Sequence, residues 1–488
     1  MRGGSPPWLK RYRDRIQPIN SKSRMDETAK AWLEKEKEAQ QKRTYLHFDQ
    51  KSSLGKAQKF VTNPAEVGRH YFYPFIKNTL VTPRFKKDKD TGERKWEKKE
   101  REIMYASHVD TLIYSYYNLI LSEQYKLKLE ATEFESSAIA YRKLGKSNID
   151  FAYEVFQEIA DFGECVVLAF DVSDFFPGLD HDILKRSWEY MMDFDDGLEN
   201  HQDHYNVFKS LTRFAYVEKE KLDTILNIKE KRREGKKAFR YCSGKEFREK
   251  VRGNKLIRVN EEPKGIPQGS PISALLSNIY MFDFDKKLYD KVCKELGGIY
   301  RRYSDDIIVV CKPEAGKDLE AWIKKVIDVD FKLIIQDKKT EKFSLETEIK
   351  GILRPINIRT GKRQNVQYLG FEYDGENIFI RSSSVSRYYR RMKRSVHVTV
   401  KKALRKGDNK VFRKKLLMKN TDEADKLLTD NQRKNFRGNF ITYAKRASAK
   451  MNGNKKILNQ IKLHKKKLKD AIDKKGNDLS EKQNKEEK

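Results

Sequence analysis

Cysteine is scarce in this 488-residue chain. The four present, at 165, 242, 293 and 311, form no C-x-x-C pair, so neither a zinc module nor a disulfide scaffold is indicated and reduced thiols are expected. The eight histidines make no H-E-x-x-H cluster. No run of 18 apolar residues occurs, and Met1–Lys10 holds no hydrophobic signal region, so a cytoplasmic protein without a membrane span is expected. Internal repeats are absent. Acid is the other shortage, with 72 Asp and Glu against 104 Lys and Arg, a formal net charge of +32. A hydrophobic content of 38% still suffices for a core, so the basic excess points to a polyanionic partner. From residue 381 onward 34 Lys and Arg stand against 11 Asp and Glu, which puts most of the excess at the C-terminal end.

Against that background, Tyr303-Ser304-Asp305-Asp306 is the most informative stretch. Apolar runs flank it, Gly298-Ile299-Tyr300 before and Ile307-Ile308-Val309-Val310 after, the pattern of a β-hairpin with carboxylates at its tip. Acidic pairs in loops are usually solvated turns. Unpaired buried carboxylates are costly and repel one another, whereas a hard cation such as Mg²⁺ favours carboxylate oxygen. A third carboxylate, Asp171, ends the apolar run Cys165–Phe170, which reads as a buried strand. Between these elements lies Gly265-Ile266-Pro267-Gln268-Gly269-Ser270-Pro271, followed by apolar residues at 272, 275, 276, 279 and 282. That spacing predicts a helix, with Ser270 as N-cap and Pro271 at its first position. Gln268-Gly269 falls on the preceding loop, where glycine permits close backbone approach to a ligand.

Taken in order, these motifs resemble those of reverse transcriptases. Asp171-Val172-Ser173-Asp174-Phe175-Phe176 resembles the first palm motif, the Pro267-Gln268-Gly269 helix the second and Tyr303–Asp306 the third. Gln367-Tyr368-Leu369-Gly370-Phe371 resembles the Leu-Gly-Phe strand placed near the primer end. Arg101-Glu102-Ile103 resembles a finger motif that usually reads Arg-Pro-Ile, with Glu102 in place of proline. Within the family, Tyr45–Asp49, His70–Ile76 and Ala140–Lys143 with Gly145–Ile149 are most similar to bacterial defence-associated and abortive-infection members.

The resemblance implies an RNA-directed DNA polymerase that adds dNTPs on an RNA template, a structured non-coding RNA, in anti-phage defence. It implies two Mg²⁺ ions, replaceable by Mn²⁺, on Asp171 and Asp305 with the Val172 backbone, and Asp306 in support. Phe176 would lie beneath the sugar and exclude a 2′-hydroxyl. Gln268, Gly269, Arg101 and Lys339 would serve the incoming nucleotide, with Lys86 or Lys87 as further phosphate candidates. Tyr303, Leu369 and Gly370 would touch nucleic acid. Lys414, Lys415 and Lys466 are candidates for phosphate contacts, because basic residues there alternate with aromatics including Phe412 and Phe436. Homo-oligomerisation stays open. An RNA polymerase is disfavoured by Tyr303 and Phe176. A mobile-element enzyme of the group II intron type and a non-catalytic RNA-binding scaffold remain as alternatives.

The implied fold is α+β, a right-hand polymerase. Residues 1–60 would form a helical N-terminal extension, 61–170 the fingers with a looped segment at Arg84–Arg101, and 171–380 the palm with a surface insertion at about 193–262. Residues 381–475 would be a basic helical thumb and 476–488 a charged tail.

Overall fold

The run Cys165–Asp171 forms β3, the centre of a six-stranded antiparallel sheet, in a computed structural model that describes residues 22–87, 93–233, 239–348, 351–405, 410–423 and 438–486. Met1–Lys10 and Phe436 lie outside the described residues. The other strands are β6 (Ile299–Tyr303), β7 (Asp306–Cys311), β8 (Glu341–Glu348), β9 (Ile352–Asn357) and β10 (Lys362–Arg363), in the order β10-β9-β8-β3-β7-β6. Alternation assigns each side chain to a face. Val166, Leu168 and Phe170 of β3, with Ile307, Val309 and Cys311 of β7, join one hydrophobic core. Cys165 and Val167, with Ile308 and Val310, join a second. Both faces are covered, which is why these strands read as continuous apolar runs.

The first core takes in the helices His108–Glu130, His181–Met192 and Ser273–Tyr280. Helix His108–Glu130 is anchored at its start by Asp49, whose carboxylate oxygens accept from the backbone N–H groups of His108 and Val109 at 2.9 Å each. That is a helix cap supplied by a distant segment, and it accounts for the acid in Tyr45–Asp49. The second core takes in helix Asn148–Phe162 and the C-terminal helices. Tyr388, Met392, Val396 and Val400 recur every fourth residue along helix Ser382–Leu404 and bury one stripe against Leu416, Ile441, Ala444 and Leu468. Helix His464–Glu486 continues across residue 476 to the last described residue, so the charged tail expected at 476–488 does not begin as a separate element at 476.

A second sheet is built on a long hairpin, β1 (Phe75–Lys87) with β2 (Arg94–Tyr105), twelve residue pairs in register. Arg84–Arg101 is therefore mostly strand and not the loop expected. Its charges fall on both faces of two strands that need no apolar face to pair, which hides it from a pattern search. Residues 193–262 are not a surface insertion either. Within them β4 (Ala215–Glu218) pairs parallel to β1, and β5 (Arg258–Val259) pairs with β4. Val207, Leu211 and Phe214 enter the first core, while Val217, Leu222 and Val251 form a third with Phe48 and Ile76. A small sheet of β11 (Val366–Tyr368), β12 (Phe371–Tyr373) and β13 (Ile378–Ile380) links the central sheet to the C-terminal helices.

One buried ion pair fastens β6 to helix Phe282–Leu288. Arg302 and Asp285 are both wholly buried and meet in a forked pair, Nε–Oδ1 2.7 Å and Nη2–Oδ2 2.6 Å. Tyr300 donates to Asp285 Oδ1 at 2.6 Å, and Arg302 Nη1 donates to Asn278 Oδ1 at 3.2 Å. Asp285→Ala would leave a buried guanidinium uncompensated. We expect a loss of about 3–5 kcal/mol in urea unfolding, while Asp285→Leu with Arg302→Met recovers most of it.

Candidate active site

Two strands position the three acidic side chains. Asp171 ends β3 directly opposite Asp306 at the start of β7, and the Val172 N–H donates to the Asp305 carbonyl at 3.1 Å. The backbone beyond β3 is held by residues 334–336. Ser173 N donates to Ile334 O and Gln336 N to Asp171 O, both at 2.8 Å. Ser304 and Asp305 form the tip of the β6–β7 hairpin. Ser304 takes φ of +63°, a left-handed conformation uncommon for serine. It is held there from two directions: its hydroxyl lies 3.1 Å from the Tyr141 hydroxyl, and its carbonyl accepts from Arg302 Nη1 at 3.3 Å. Segment 137–141 is docked in turn on β6 and its neighbouring helix, through Arg302 N to Ser137 O, Ile139 N to Arg302 O, and Asn278 Nδ2 to Ala140 O.

The electrostatics are those of negative charge gathered in a half-buried place. Burial, then the Asp171 charge, raises the Asp305 carboxyl above its ordinary range. Asp306 is pushed up to about 7 by burial first, then by Asp305 and Asp171, against the pull of Lys339 and Arg381. Lys339 Nζ sits 2.5 Å from Asp171 Oδ1. Such a set fits a divalent metal by its chemistry: the donors are oxygens, they repel one another, and a cationic ammonium is already drawn onto one of them. It is not a finished cage, since among the described residues no three Asp, Glu, His or Cys side chains converge as metal ligands.

The glutamine-glycine loop meets the chain itself. Met104 N, near the end of β2, donates to Gln268 O at 2.8 Å, and a Cβ on Gly269 would lie 2.6 Å from Met104 O. With φ of +121°, Gly269 is required by contact with β2 and not only by approach of a ligand. The helix after it starts at Ser273, two residues later than expected, because Ser270–Ile272 form a turn. Ser273 Oγ donates back to Pro267 O at 2.6 Å, and Ser270 Oγ is buried without a partner. Phe175 is buried and Phe176 half-buried, their rings 5.7 Å apart, and the Phe176 carbonyl accepts from Ile266 N at 3.1 Å.

The remaining candidates are spread more widely. Tyr303 lies across from Asp306 and packs against Phe151. Leu369 and Gly370 form a two-residue turn between β11 and β12, with φ of +44° and +92°, and not a strand. The Leu369 carbonyl accepts from Asn148 Nδ2 at 3.0 Å, and that of Gly370 from Arg381 N at 3.0 Å. Arg101 is exposed on β2, and no hydrogen bond or ion pair among the described residues joins it to the three acids. Lys414, Lys415 and Lys466 are exposed on the C-terminal helices, away from this cluster in the sequence and in their elements. The side chains of Lys86, Lys87 and Phe412 lie outside the described residues. Arg302, Asp285, Asn278, Tyr141 and Arg381 were not anticipated. The available clue was Arg302 itself, a charge at an inward position of a strand with alternating burial.

The family described as reverse transcriptase (RNA-dependent DNA polymerase) matches residues 120–373, more than half of the chain and all of the acidic cluster. The chain belongs to the reverse transcriptase family. Its architecture is accordingly α+β, a right-hand polymerase of fingers, palm and thumb, with a helical N-terminal extension and a basic, mostly helical C-terminal region. Solved structures similar to this reverse transcriptase include apo telomerase from Candida tropicalis truncated from its C-terminal domain, at 10% identity and TM-score 0.37, covering 62% of this chain and 55% of that one. Telomerase from Candida albicans in complex with a TWJ fragment of telomeric RNA is similar at 13% identity and TM-score 0.36, covering 79% and 63%. The chain thus spans little more than half the length of the first of these telomerases, and the assignment rests on the family match. No curated protein matches the chain. Among the described residues no helix is long and apolar enough to cross a membrane.

The raised Asp306 carboxyl has a signed consequence for the metal-free protein. Its proton is kept in the folded state up to about pH 7 and lost in the unfolded chain near pH 3.8. Stability from this group is therefore greatest at low pH and declines as pH rises from about 4 to about 7. In EDTA, Asp306→Asn should raise the melting temperature at pH 8 and lose that advantage at pH 4.5, as scanning calorimetry at both values would read.

Proposed function

We propose that this reverse transcriptase extends a primer with dNTPs on an RNA template, using Asp171, Asp305 and Asp306 as the metal-holding carboxylates. The observation that carries the reading is the pairing of Asp171 with Asp306 across adjacent strands, with Asp305 at the hairpin tip. Two Mg²⁺ ions, or Mn²⁺, held by Asp171, Asp305 and the Val172 carbonyl would activate the primer hydroxyl and neutralise the triphosphate. The protein's own contribution is positioning and charge. Asp306, opposite Asp171 on the adjacent strand, supports the pair less directly. Lys339, paired with Asp171 at rest, carries a proton at Nζ beside the place where pyrophosphate leaves. Arg101 on β2 binds phosphates, and the Gln268-Gly269 loop carries the nucleotide and its templating base. The half-buried Phe176 ring excludes a 2′-hydroxyl. Tyr303 and the Leu369-Gly370 turn support the primer end, and Lys414, Lys415 and Lys466 grip phosphates of the duplex or of a structured RNA.

The same reading takes the template to be a structured non-coding RNA and the setting to be anti-phage defence in the bacterial cytoplasm. Its support is the similarity of Tyr45–Asp49, His70–Ile76 and Ala140–Ile149 to defence-associated members. Sequencing the RNA and DNA that co-purify with the chain identifies template and product.

Primer extension tests the chemistry. Asp305→Asn should lower extension by about two orders of magnitude or more with RNA affinity retained; substantial Mg²⁺-dependent extension by that variant would sink the metal assignment. Phe176→Val should admit rNTPs with a smaller loss of dNTP use, and unchanged discrimination would reduce Phe176 to packing. Charge reversal at Lys414, Lys415 and Lys466 should weaken RNA binding across sequences and flatten its salt dependence by about 0.9 per lost contact.

A further inference from the structure

One short segment holds its neighbours in place and presents a single aromatic ring to solvent. In His70-Tyr71-Phe72-Tyr73, the His70 ring bonds Asp110 Oδ1 at 2.7 Å, and the Tyr73 N–H donates to Asp110 Oδ2 at 2.9 Å. Asp110 is wholly buried, so both ends of the segment are pinned to one fixed carboxylate. Phe72 stacks on Tyr114 with centroids 5.3 Å apart, and Asn206 Nδ2 bonds the carbonyls of Val67 and His70 at 2.8 and 2.9 Å. Between these clamps Tyr71 is 92% exposed, the most exposed large apolar side chain among the described residues. A tyrosine held this way loses hydrophobic burial with no gain inside the fold. Its backbone is already ordered, so a flat ligand would meet a ring on a rigid seat.

The surroundings are cationic. Tyr71 lines a cleft of about 430 Å³ with Arg69, Lys209 and Arg213, and no carboxylate is among its lining residues. All three cations are exposed, and among the described residues none forms an ion pair. The Arg213 end of the cleft is within electrostatic reach of a histidine that braces the glutamine-glycine loop. Arg213 acts electrostatically on the His181 ring, His181 Nε2 lies 2.9 Å from the Gly265 carbonyl, and Gly265 opens the loop that carries Gln268. Exposed aromatic faces flanked by cations are the surface that takes unpaired nucleic acid, because every base offers a ring to stack and every linkage a phosphate.

We propose that Tyr71, Arg69, Lys209 and Arg213 form a docking surface for unpaired RNA template ahead of the position being copied, one base stacking on Tyr71 with the cations on adjacent phosphates. The proposal rests on the polymerase reading for the direction of the strand, and its test is an equilibrium one that needs no turnover. The full chain is titrated, in EDTA and without dNTPs, into two labelled RNA–DNA primer-templates, one with a single unpaired template nucleotide and one with ten unpaired uridines. The parent protein should bind the long overhang more tightly. Tyr71→Ala should remove about tenfold of that preference, and so should Arg69→Ala with Lys209→Ala and Arg213→Ala, while affinity for the short overhang stays unchanged. Tyr71→Phe, which keeps the ring, should behave as the parent. A 2-aminopurine walked along the overhang should be quenched at one or two positions in the parent and at none in Tyr71→Ala. Equal affinity of the parent for both substrates overturns the proposal, as does a Tyr71→Ala variant that keeps the long-overhang preference or weakens both substrates alike. Extension of the short-overhang substrate by the parent, with dNTPs and Mg²⁺, checks the polymerase reading separately. Loss of extension with an intact overhang preference would condemn that reading and leave the docking surface standing.

Discussion

A guanidinium with no access to water is the constraint on which the central sheet and its acidic hairpin depend. Arg302 can occupy its position only while Asp285 neutralises it and Asn278 and the Ser304 carbonyl take its remaining N–H groups. Each partner comes from a different element: a helix, the helix that follows the glutamine-glycine loop, and the tip of the acidic hairpin. The cost of breaking any of them is high, because an unmatched buried charge is far less tolerable than a missing methyl group. Those elements are therefore fixed relative to one another more tightly than apolar packing alone would fix them. The Ser304 turn, in a backbone conformation a serine rarely adopts, persists because the Arg302 and Tyr141 contacts over-determine it.

The acidic cluster uses the opposite principle. Where Arg302 is matched, the three aspartates are left short of positive charge, and the protein supplies one ammonium at Asp171 and a more distant guanidinium at Arg381. Placing the deficit at strand ends rather than on mobile loops costs stability and gains geometry, since both strands are clamped within the sheet on either side. Stored electrostatic strain at such a place is the usual sign of a site that awaits a cation.

Much of this was legible in the residues. Apolar runs with no alternation announced a sheet buried on both faces, and a pair of acids between two such runs announced a hairpin. The long β1–β2 hairpin was not legible, because its strands carry charge on both faces and are held by backbone pairing, which has no side-chain signature. Residues 193–262 misled for a related reason: polar helices separate the short strands β4 and β5, and only the pairing of β4 with β1, and of β5 with β4, reveals that they belong to a sheet. The start of the helix at Ser273 escaped because Ser270-Pro271 is a good cap in isolation, and the true turn depends on a hydroxyl bonding back to Pro267. Arg302 escaped because a charge inside a strand gains meaning only when its partner, 17 residues away in sequence, is brought beside it.

The contact between Gly269 and Met104 has a mechanical side. Eleven rungs of hairpin extend outward from that point, a beam of about 35 Å. Its root is joined to the glutamine-glycine loop by a main-chain hydrogen bond and by carbonyl contact too close for any side chain. Torque applied along the beam is delivered at its root to Gln268 through Met104 and to β4 through β1. Anything that grasps the far end of the hairpin thereby has a stiff handle on the loop beside the carboxylates.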